Sequence, residues 1–385
     1  MVKLGEVCSI ERGGSPRPIK DYITDSQEGL NWIKIGDTDP QGKYIYRTNE
    51  KIKPEGLKKT KWVEENDLLL SNSMSYGRPY ILKTNGCIHD GWLVIRDYQS
   101  SLNTDFFYYL LLSPIVQRQF LLKAQGSTVS NLNTQRVTDV NVLVPPLEEQ
   151  HRIVSILDAS FEKIDALKKN AEENLKNAKA LFQQVLAQEL KPKEGWVETN
   201  METICTLCQG LAINAQTKHL IVEKSNLPLL RIKDLKDGTR EVFIDESNCP
   251  ENCKVYPNDI IYTRTGTLGL TFTGMNGVMH NNCFKININR DKVDKHYIMY
   301  YIQSQSFKDR IIGMAQRAAQ PDITHKIFKA QYISYSSLEE QHRIVLTLDT
   351  LSEKCRRLEE VAQQTIRECD ALKQSILRQA FSGEL

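Results

Sequence analysis

The chain has 385 residues, and its 50 lysines and arginines nearly balance its 48 aspartates and glutamates, which leaves a formal net charge of +2. A charge this small does not by itself indicate a nucleic-acid-binding protein, and the length predicts about two or three domains. The longest apolar run, residues 106–112, is much shorter than the roughly 20 residues of a bilayer span. The N-terminus also lacks the apolar core of a signal peptide. We therefore expect a cytoplasmic protein without a membrane partner, whose nine cysteines are reduced thiols.

The chain contains an internal duplication. Residues 147–154 and residues 338–345, which lie 191 positions apart, are the same octapeptide, Leu-Glu-Glu-Gln-His-Arg-Ile-Val. Identities continue after it in both copies, at Leu157/Leu348, Asp158/Asp349, Leu167/Leu358 and Leu181/Leu372. Upstream segments correspond more weakly: 33–37 with 230–234, 66–69 with 258–261, 86–89 with 277–280 and 106–109 with 297–300. The duplication predicts a globular part, a helix, a second globular part and a second helix, in that order.

Each octapeptide begins a long stretch with helical periodicity. Apolar or small residues recur about every 3.5 residues, which is the coiled-coil spacing, and neither Gly nor Pro interrupts the pattern. We predict spacer helices over 147–190 and 337–385. Because an amphipathic helix must bury its apolar stripe, we expect the two helices to pack on each other. The alternative is that each helix packs on its own globular part.

The globular parts, 1–146 and 191–336, mix strand and helix patterns, so we predict an α+β fold. Short β-rich runs between turn residues predict strands near 32–35, 67–70, 92–95, 260–263 and 284–288. One helix is predicted in each part, over about 103–123 and 294–314. Both parts carry a small excess of positive charge, as a surface that contacts phosphates needs.

The motifs of several enzyme classes are missing. The sequence has no phosphate-binding loop, no H-E-x-x-H, no G-x-S-x-G and no Rossmann glycine fingerprint. It also lacks the Asn-Pro-Pro-[Phe/Tyr] run expected of an amino-methyltransferase. A protein without catalysis of its own is therefore favoured, and a nuclease or methyltransferase with fused recognition domains is the enzymatic alternative.

Four cysteines have a spacing that could bind zinc, Cys205 with Cys208 and Cys249 with Cys253. In the repeat, however, Cys8 aligns with Cys205 while Glu11 takes the place of Cys208. The first half therefore folds without this pair, and we expect buried thiols and no metal. His89 and His280 occupy equivalent positions, and we interpret them as structural or DNA-facing because no nucleophile or base accompanies them.

Together these features resemble the specificity subunit of type I restriction-modification systems. The resemblance rests on Pro-Pro-Leu-Glu-Glu-Gln-His-Arg-Ile-Val at 145–154 followed by a long helix, and on the second copy of this motif. It extends to the opening Lys-Leu-Gly-Glu-Val at 3–7, to Gly-Gly-Ser-Pro at 13–16, and to the loops 70–78 and 262–269, which resemble a Ser-Arg-x-Gly-x-x-Gly turn. The first loop departs from this turn, because Asn72 stands where the second loop has Arg264, and its basic residue is Arg78.

The family resemblance implies two target recognition domains, each of which reads one half of a split double-stranded DNA sequence. It implies helices that pair as an antiparallel coiled coil between pseudo-twofold-related halves and act as a spacer. The implied partners are DNA, two modification (methyltransferase) subunits that carry S-adenosylmethionine and methylate adenine, and restriction subunits that use ATP and Mg. This chain itself would bind no cofactor. A scaffold or silenced copy that does not read DNA is a further alternative.

Polar side chains on loops that could enter a DNA groove are the candidates for DNA contact. In the first domain they are Tyr76, Arg78, Asn131, Asn133, Gln135 and Arg136. In the second domain they are Arg231, Lys233, Arg264, Thr265, Gln320, Thr324, His325 and Lys326.

Overall fold

The computed structural model of the protein describes residues 1–73, 76–97, 101–124, 132–316 and 320–385. The chain forms two compact units: unit 1 contains 1–172 and 364–385, and unit 2 contains 173–363. Each unit combines one α+β globular domain, here called domain 1 (1–146) and domain 2 (191–336), with stretches of two long helices. The predicted fold class is confirmed.

The two long helices span Leu147–Glu189 and Leu338–Ser382. Both carry two glutamates in the first turn, where negative charge interacts favourably with the helix dipole. The second helix ends at Gly383, whose φ of +81° suits glycine at a helix C-terminus. Among the described residues, none of these helices combines the length and apolar character that crossing a membrane would take.

Domain 1 is built around two five-stranded sheets. One sheet has the strand order Cys8–Arg12, Trp92–Asp97, Leu68–Ser71, Pro79–Leu82, Tyr44–Ile45. The other has the order Ile23–Thr24, Glu50–Ile52, Leu30–Ile33, Gly86–Ile88, Lys61–Val63. Val2–Lys3 pairs with Asn141–Val142. Short helical segments lie at Leu4–Val7, Ile19–Asp21, Ile35–Asp37, Pro54–Lys59 and Thr134–Thr138.

Domain 2 repeats the central arrangement with fewer strands. Its main sheet has the order Cys205–Gln209, Cys283–Ile288, Ile260–Thr263, Thr271–Phe272. Smaller sheets contain Leu229–Leu230, Gly277–Met279 and Lys254–Val255, then Ile221–Val222 with Phe243–Ile244, and Val197–Asn200 with Tyr332–Tyr335. Short helical segments lie at Met201–Thr203, Lys218–Leu220, Ile232–Asp237, Glu251–Cys253 and His325–Lys329. In both domains the strand from Trp92 or Cys283 pairs antiparallel on both sides.

The prediction of one helix over about 103–123 and one over about 294–314 is wrong, because the structure has two consecutive helices in each range. Domain 1 contains Thr104–Leu112 and Pro114–Ala124, and domain 2 contains Lys295–Gln303 and Gln305–Ala315. The break falls at Ser113 and at Ser304, which are extended in both domains. Pro114 disfavours a helical conformation at Ser113. In domain 2, where Gln305 replaces the proline, the Ser304 hydroxyl caps the next helix by accepting from Phe307 N.

The long helices are buried both by each other and by the domains. In unit 1, Leu157 and Leu377 belong to the core of domain 1, and in unit 2, Leu186 and Leu348 belong to the core of domain 2. Within unit 1 the two helical segments run antiparallel, because Asp165 pairs with Lys373 and Lys168 pairs with Asp370 at 2.6 Å. The long helices therefore pack both on each other and on the globular domains, so the two alternatives occur together.

A buried glutamine at the start of each long helix joins it to its domain. Gln150 is fully buried; its Oε1 accepts from Asn103 N at 2.8 Å, and its Nε2 donates to Ser101 O at 2.9 Å and Pro145 O at 2.8 Å. Gln341 makes the same three bonds in the second half, with Asp294 N, Lys292 O and Ser336 O at 2.8, 3.0 and 2.8 Å. The glutamine of the repeated octapeptide thus ties the segment before the domain's helix pair to the residues that lead into the long helix.

A tyrosine in each domain adds a second tie. Tyr109 donates its hydroxyl hydrogen to Asp158, and Tyr300 donates to Asp349 at 2.6 Å. The tyrosines come from equivalent helices of the domains and the aspartates from equivalent positions of the long helices. Burial and the neighbouring carboxylate raise the pKa of both tyrosines, so the hydroxyl hydrogen stays in place at neutral pH.

Gln150→Ala should loosen domain 1 alone. The change removes three hydrogen bonds to half-buried backbone groups, each of which contributes about 0.5–1.5 kcal/mol. We expect amide hydrogen exchange to accelerate over 101–112, while 292–303 stays protected. Gln341→Ala is the matched variant and should give the reverse pattern. Equal acceleration in both segments, or none, would contradict the local tie.

Candidate nucleic-acid interface

In domain 1, the candidates Tyr76 and Arg78 lie in a tight turn after the strand Leu68–Ser71. The turn is closed by Gly77 N donating to Ser71 O at 2.7 Å and by Ser71 N donating to Arg78 O at 3.0 Å. The Arg78 guanidinium lies 5.4 Å from the Tyr80 ring centre and donates to Gly42 O at 3.3 Å, while its Nε is buried without a partner among the described residues. Tyr76 packs, partly buried, against the core.

The other domain 1 candidates lie on the short helix Thr134–Thr138. Asn133 caps this helix by accepting from Arg136 N at 2.9 Å, and Gln135 donates to Asp139 at 3.0 Å. Asn133 and Gln135 are exposed and Arg136 is half-buried. The helix lies next to the turn's first residue, because Leu132 N donates to Asn72 O at 3.0 Å. Asn131 lies outside the described residues.

In domain 2, Arg264 is held by its neighbours. Its Nε donates to Asp322 Oδ1 at 2.8 Å, its Nη2 also bonds this carboxylate, and its Nη1 donates to Gln209 Oε1 at 3.0 Å. The guanidinium therefore joins its loop to the 320–325 segment and to the strand Cys205–Gln209. Arg264 is placed to position the loops, and only 22% of its side chain is exposed.

The remaining residues of this loop cluster converge on the same place. Ile323 N donates to Arg264 O at 2.9 Å, and Thr324 caps the helix His325–Lys329 by accepting from Ile327 N at 3.2 Å. Thr265 Oγ1 and His325 Nε2 are buried polar atoms without a hydrogen-bond partner among the described residues. Gln320 and Lys326 are exposed. Buried unpaired polar atoms are uncommon and call for an explanation, and a ligand at this surface would provide one.

Arg231 and Lys233 reach the same surface from the helix Ile232–Asp237. Arg231 donates to Asp234 at 2.7 Å and to Glu241 at 2.8 Å, and Lys233 donates to Glu241 at 3.0 Å. The helix contacts the Arg264 loop through Lys236 Nζ, which lies 3.0 Å from Thr267 Oγ1. The structure thus brings the domain 2 candidates into one neighbourhood, whereas in domain 1 the Arg78 guanidinium bonds Gly42 O and lies over the Tyr80 ring.

The backbone bonds show which loop residues are equivalent in the two domains. Asn72 N donates to Gly91 O and Arg264 N to Asn282 O, both at 2.9 Å, so Asn72 replaces Arg264. Ser71 N donates to Arg78 O and Thr263 N to Leu270 O, so Arg78 corresponds to Leu270. Arg78 is therefore not a shifted copy of Arg264, and the two loops share these backbone bonds but not a basic side chain.

Lys34 is the domain 1 counterpart of Arg231, and sequence reasoning missed it as a candidate. Lys34 N donates to Asp37 at 2.8 Å, as Arg231 N does to Asp234 at 3.0 Å. Lys34 also pairs with Glu50, as Arg231 pairs with Glu241. The signal was present in the repeat, since residues 33–37 align with 230–234.

His89 and His280 have the same fixed orientation. The Nδ1 atom of His89 accepts from Gly91 N at 2.9 Å, and Nδ1 of His280 accepts from Asn282 N at 3.3 Å. Since Nδ1 accepts, the ring hydrogen lies on Nε2 in both neutral rings. His89 Nε2 lies 3.0 Å from Asp90 Oδ1. In domain 2 the residue equivalent to Asp90 is Asn281.

The four cysteines considered for zinc are free thiols. Cys205 donates to Met201 O at 3.1 Å, Cys253 to Gln209 O at 3.5 Å, and Cys208 accepts from Asn287 Nδ2 at 3.3 Å. Burial raises the pKa of Cys205 to about 12, which disfavours the thiolate that zinc requires. In the described ranges, three or more His, Cys, Asp or Glu side chains never converge in a way that could hold a metal ion.

A family model for the type I restriction modification DNA specificity domain matches this chain twice, over residues 1–177 and 193–368. The EcoBI type I restriction enzyme specificity subunit of Escherichia coli is 22% identical, over 100% of this chain and 85% of that protein. The EcoKI specificity subunit of E. coli strain K12 is 24% identical, over 73% of this chain and 65% of that protein.

Two solved structures share the fold. A chain from a structure of the type I R-M system, concerned with complex assembly and conformational transition, aligns with a TM-score of 0.82 at 22% identity, over 100% of this chain and 97% of that chain. The HsdS subunit from Thermoanaerobacter tengcongensis aligns with a TM-score of 0.58 at 21% identity, over 100% of this chain and 96% of that chain. The fold is therefore shared with these proteins.

Domain 2 should lose stability in mild acid. Burial, together with the charges of Arg231 and Arg264 respectively, lowers the pKa of His280 and His325. An unfolded histidine has a pKa of about 6.5. The unfolded chain therefore takes up protons first, so this stabilisation is complete above about pH 6.5 and is lost as the pH falls through that value.

Thermal unfolding of the protein between about pH 7 and pH 5 checks this expectation, with the midpoint of domain 2 falling on acidification. His325→Gln removes one titrating group and should flatten the dependence, and His89→Gln in domain 1 is the matched variant. A domain 2 midpoint that stays constant, or an NMR titration of His325 centred above 6.5, would refute it.

Proposed function

This chain belongs to the family of type I restriction-modification DNA specificity subunits, and from that premise we propose that each of its domains reads one half of a split DNA sequence through the loops described above. The observation that carries the proposal is that the two loops form the same backbone hydrogen bonds but carry unlike side chains at the equivalent position, Asn72 in domain 1 and Arg264 in domain 2. Two domains that meet DNA in the same way but read different bases need this combination, because the backbone sets the approach and the side chains set the sequence.

The chain contributes recognition and assembly, and its partners contribute the chemistry. Two modification subunits supply S-adenosylmethionine and methylate adenine, and restriction subunits supply the ATP- and Mg-dependent steps; the chain itself binds none of these cofactors. The whole complex acts on double-stranded DNA in the cytoplasm. The missing catalytic motifs and the thiols held protonated by burial support this division of labour.

Paired exposed leucines on the long helices support two equivalent partner sites. In unit 1, Leu167 and Leu372 are 53% and 49% exposed, and the antiparallel register of the ion pairs puts them at the same level. In unit 2, Leu181 and Leu358 are 45% and 55% exposed. Leu358 and Leu372 are the repeat equivalents of Leu167 and Leu181. A patch that occurs once per unit fits two copies of one partner, the modification subunit.

The helices should set the distance between the half-sites. Each long helix is continuous and runs from one unit into the other. Four helix-forming residues inserted after Leu175 and four after Ile366, the equivalent position, would lengthen both by roughly 6 Å. Since DNA rises about 3.4 Å per base pair, we expect the gap between half-sites to grow by one or two pairs while the half-site bases stay the same.

Methylome sequencing of cells that express the protein with its modification subunit measures both the target and the gap. The unaltered chain should give one split methylated sequence, and purified chain alone should transfer no methyl group. An insertion after Leu175 alone is the control that mismatches the helices and should weaken the complex. A methylome without a split sequence would overturn the proposed function, and an unchanged gap with full activity would overturn the spacer role.

Removing one leucine pair should remove one partner copy. We expect Leu167→Asp with Leu372→Asp to reduce the complex from two modification subunits per chain to one, because a charge replaces apolar contact area. Mass photometry of the purified complex measures the stoichiometry. Leu181→Asp with Leu358→Asp is the matched pair for the other copy, and Lys163→Asp, an exposed position on the same helix, is the control. Retention of two copies in both leucine variants would exclude these patches as docking sites.

A further inference from the structure

Domain 1 has a cavity that is bordered by none of the residues predicted from the sequence as candidates for DNA contact. Its volume is about 480 Å³, and it is bordered by Ser15, Pro16, Trp32, Lys34, His89 and Asp90. Pro16 and Trp32 form a buried apolar part, while Asp90 and His89 keep 31% and 38% of their side chains exposed. Arg17 also borders the cavity and is 83% exposed, so this side opens to solvent.

The carboxylate of Asp90 is held in a defined orientation. Its Oδ1 accepts from Ser15 Oγ at 2.7 Å, and His89 Nε2 lies 3.0 Å from the same oxygen. The backbone carbonyl of Asp90 accepts from Asn72 Nδ2 and from Arg12 Nε, both at 3.0 Å. Its Oδ2 faces Arg17 Nη2 only at 3.8 Å, beyond hydrogen-bond length, so this oxygen can accept from a ligand.

The charges around Asp90 keep it ionised. Burial alone would raise its pKa, but the Ser15 hydrogen bond, the adjacent His89 ring and the charges of Arg12 and Arg17 together lower the pKa below its usual value. The two arginines, with Lys34, would offset the repulsion between this carboxylate and DNA phosphates.

Domain 2 keeps the frame of this cavity and changes the side chains that border it. His280 N donates to Leu230 O as His89 N does to Ile33 O, both at 3.1 Å, and Leu211 N donates to Met279 O as Gly14 N does to Ile88 O. These bonds make Ala212 the counterpart of Ser15, Leu229 that of Trp32 and Asn281 that of Asp90. The histidine orientation is retained, while the group beside it changes from a carboxylate to an amide.

Two domains that read different half-sites need the same backbone arrangement but different side chains at the positions that contact the bases. A carboxylate only accepts, and in the major groove it suits the exocyclic amino group of cytosine or adenine. An amide both donates and accepts, which suits the N6 and N7 edge of adenine. The exchange of Asp90 for Asn281 therefore changes which base edge the position can bind.

We propose that Asp90 and Asn281 occupy one base-reading position in the two domains, where Asp90 accepts from an exocyclic amino group in the first half-site and Asn281 binds an adenine edge in the second. This assignment rests on the proposed function. It makes Ser15 and His89 positioning residues that orient the carboxylate.

Selection from randomised duplexes with the assembled modification complex tests it. Asp90→Asn should shift the preference at one position of the first half-site by about 5- to 100-fold and leave the second half-site unchanged. Asn281→Asp should do the reverse. Ser15→Ala should lower affinity for the preferred base without switching it, because the carboxylate loses its orientation and keeps its chemistry. Asp25→Asn, an exposed carboxylate of the same domain, should change nothing.

The outcomes distinguish a failure of the proposed function from a failure of the base-reading position. If the unaltered complex selects no split sequence, the proposed function fails. If it does, and Asp90→Asn keeps the same preference or weakens binding equally on all sequences, the base-reading position is overturned. Where Asp90→Asn does not fold, as judged by its unfolding midpoint, the reciprocal Asn281→Asp gives the same decision.

Discussion

The rest of each unit depends on one buried glutamine at the start of a long helix. Gln150 and Gln341 are both fully buried, and each side-chain amide uses its oxygen and its nitrogen on three backbone groups. A buried amide that lacks such partners is costly, so the geometry around it tolerates little change. This constraint explains why the glutamine is present in both copies of the octapeptide while the domains have diverged. It also fixes the position at which the domain ends and the long helix begins.

The internal repeat made the fold predictable from the sequence, but the breaks within the predicted domain helices could not be seen there. The octapeptide and the 3.5-residue period predicted the long helices to within a few residues, and the five predicted strands all overlap observed ones. The breaks at Ser113 and Ser304 were missed because both flanking segments are apolar and helical in pattern. Pro114 was a signal in domain 1, but domain 2 breaks at the same place without a proline, through the cap formed by Ser304. Only tertiary structure shows that both halves need the bend.

The candidate site was less predictable, because its residues act through partners that are distant in sequence. Arg264 was selected as a base-reading side chain, and the structure shows it held by Asp322, 58 positions away, and by Gln209. The alignment of Asn72 with Arg264 is confirmed by the backbone bonds, which make Arg78 the equivalent of Leu270. Thr265 and His325 were candidates from the sequence, but only the structure shows that their buried polar atoms lack partners among the described residues. Lys34 could have been found, since the segment that contains it aligns with that of Arg231.

The way the duplicated domains hold their loops explains how they could diverge without unfolding. The positions of Asn72 and Arg264 are set by the same main-chain bonds, and main-chain groups are independent of side-chain identity. The histidines use Nδ1 on a backbone amide in both domains, so the frame beside Asp90 and Asn281 survives whichever of the two is present. Stability therefore resides in the buried glutamines, the strand pairings and the backbone hydrogen bonds of the loops, whereas the exposed loop side chains are free to change. A fold divided in this way can change its exposed side chains while it keeps the frame, as the two halves do at Asp90 and Asn281 beside equally oriented histidines.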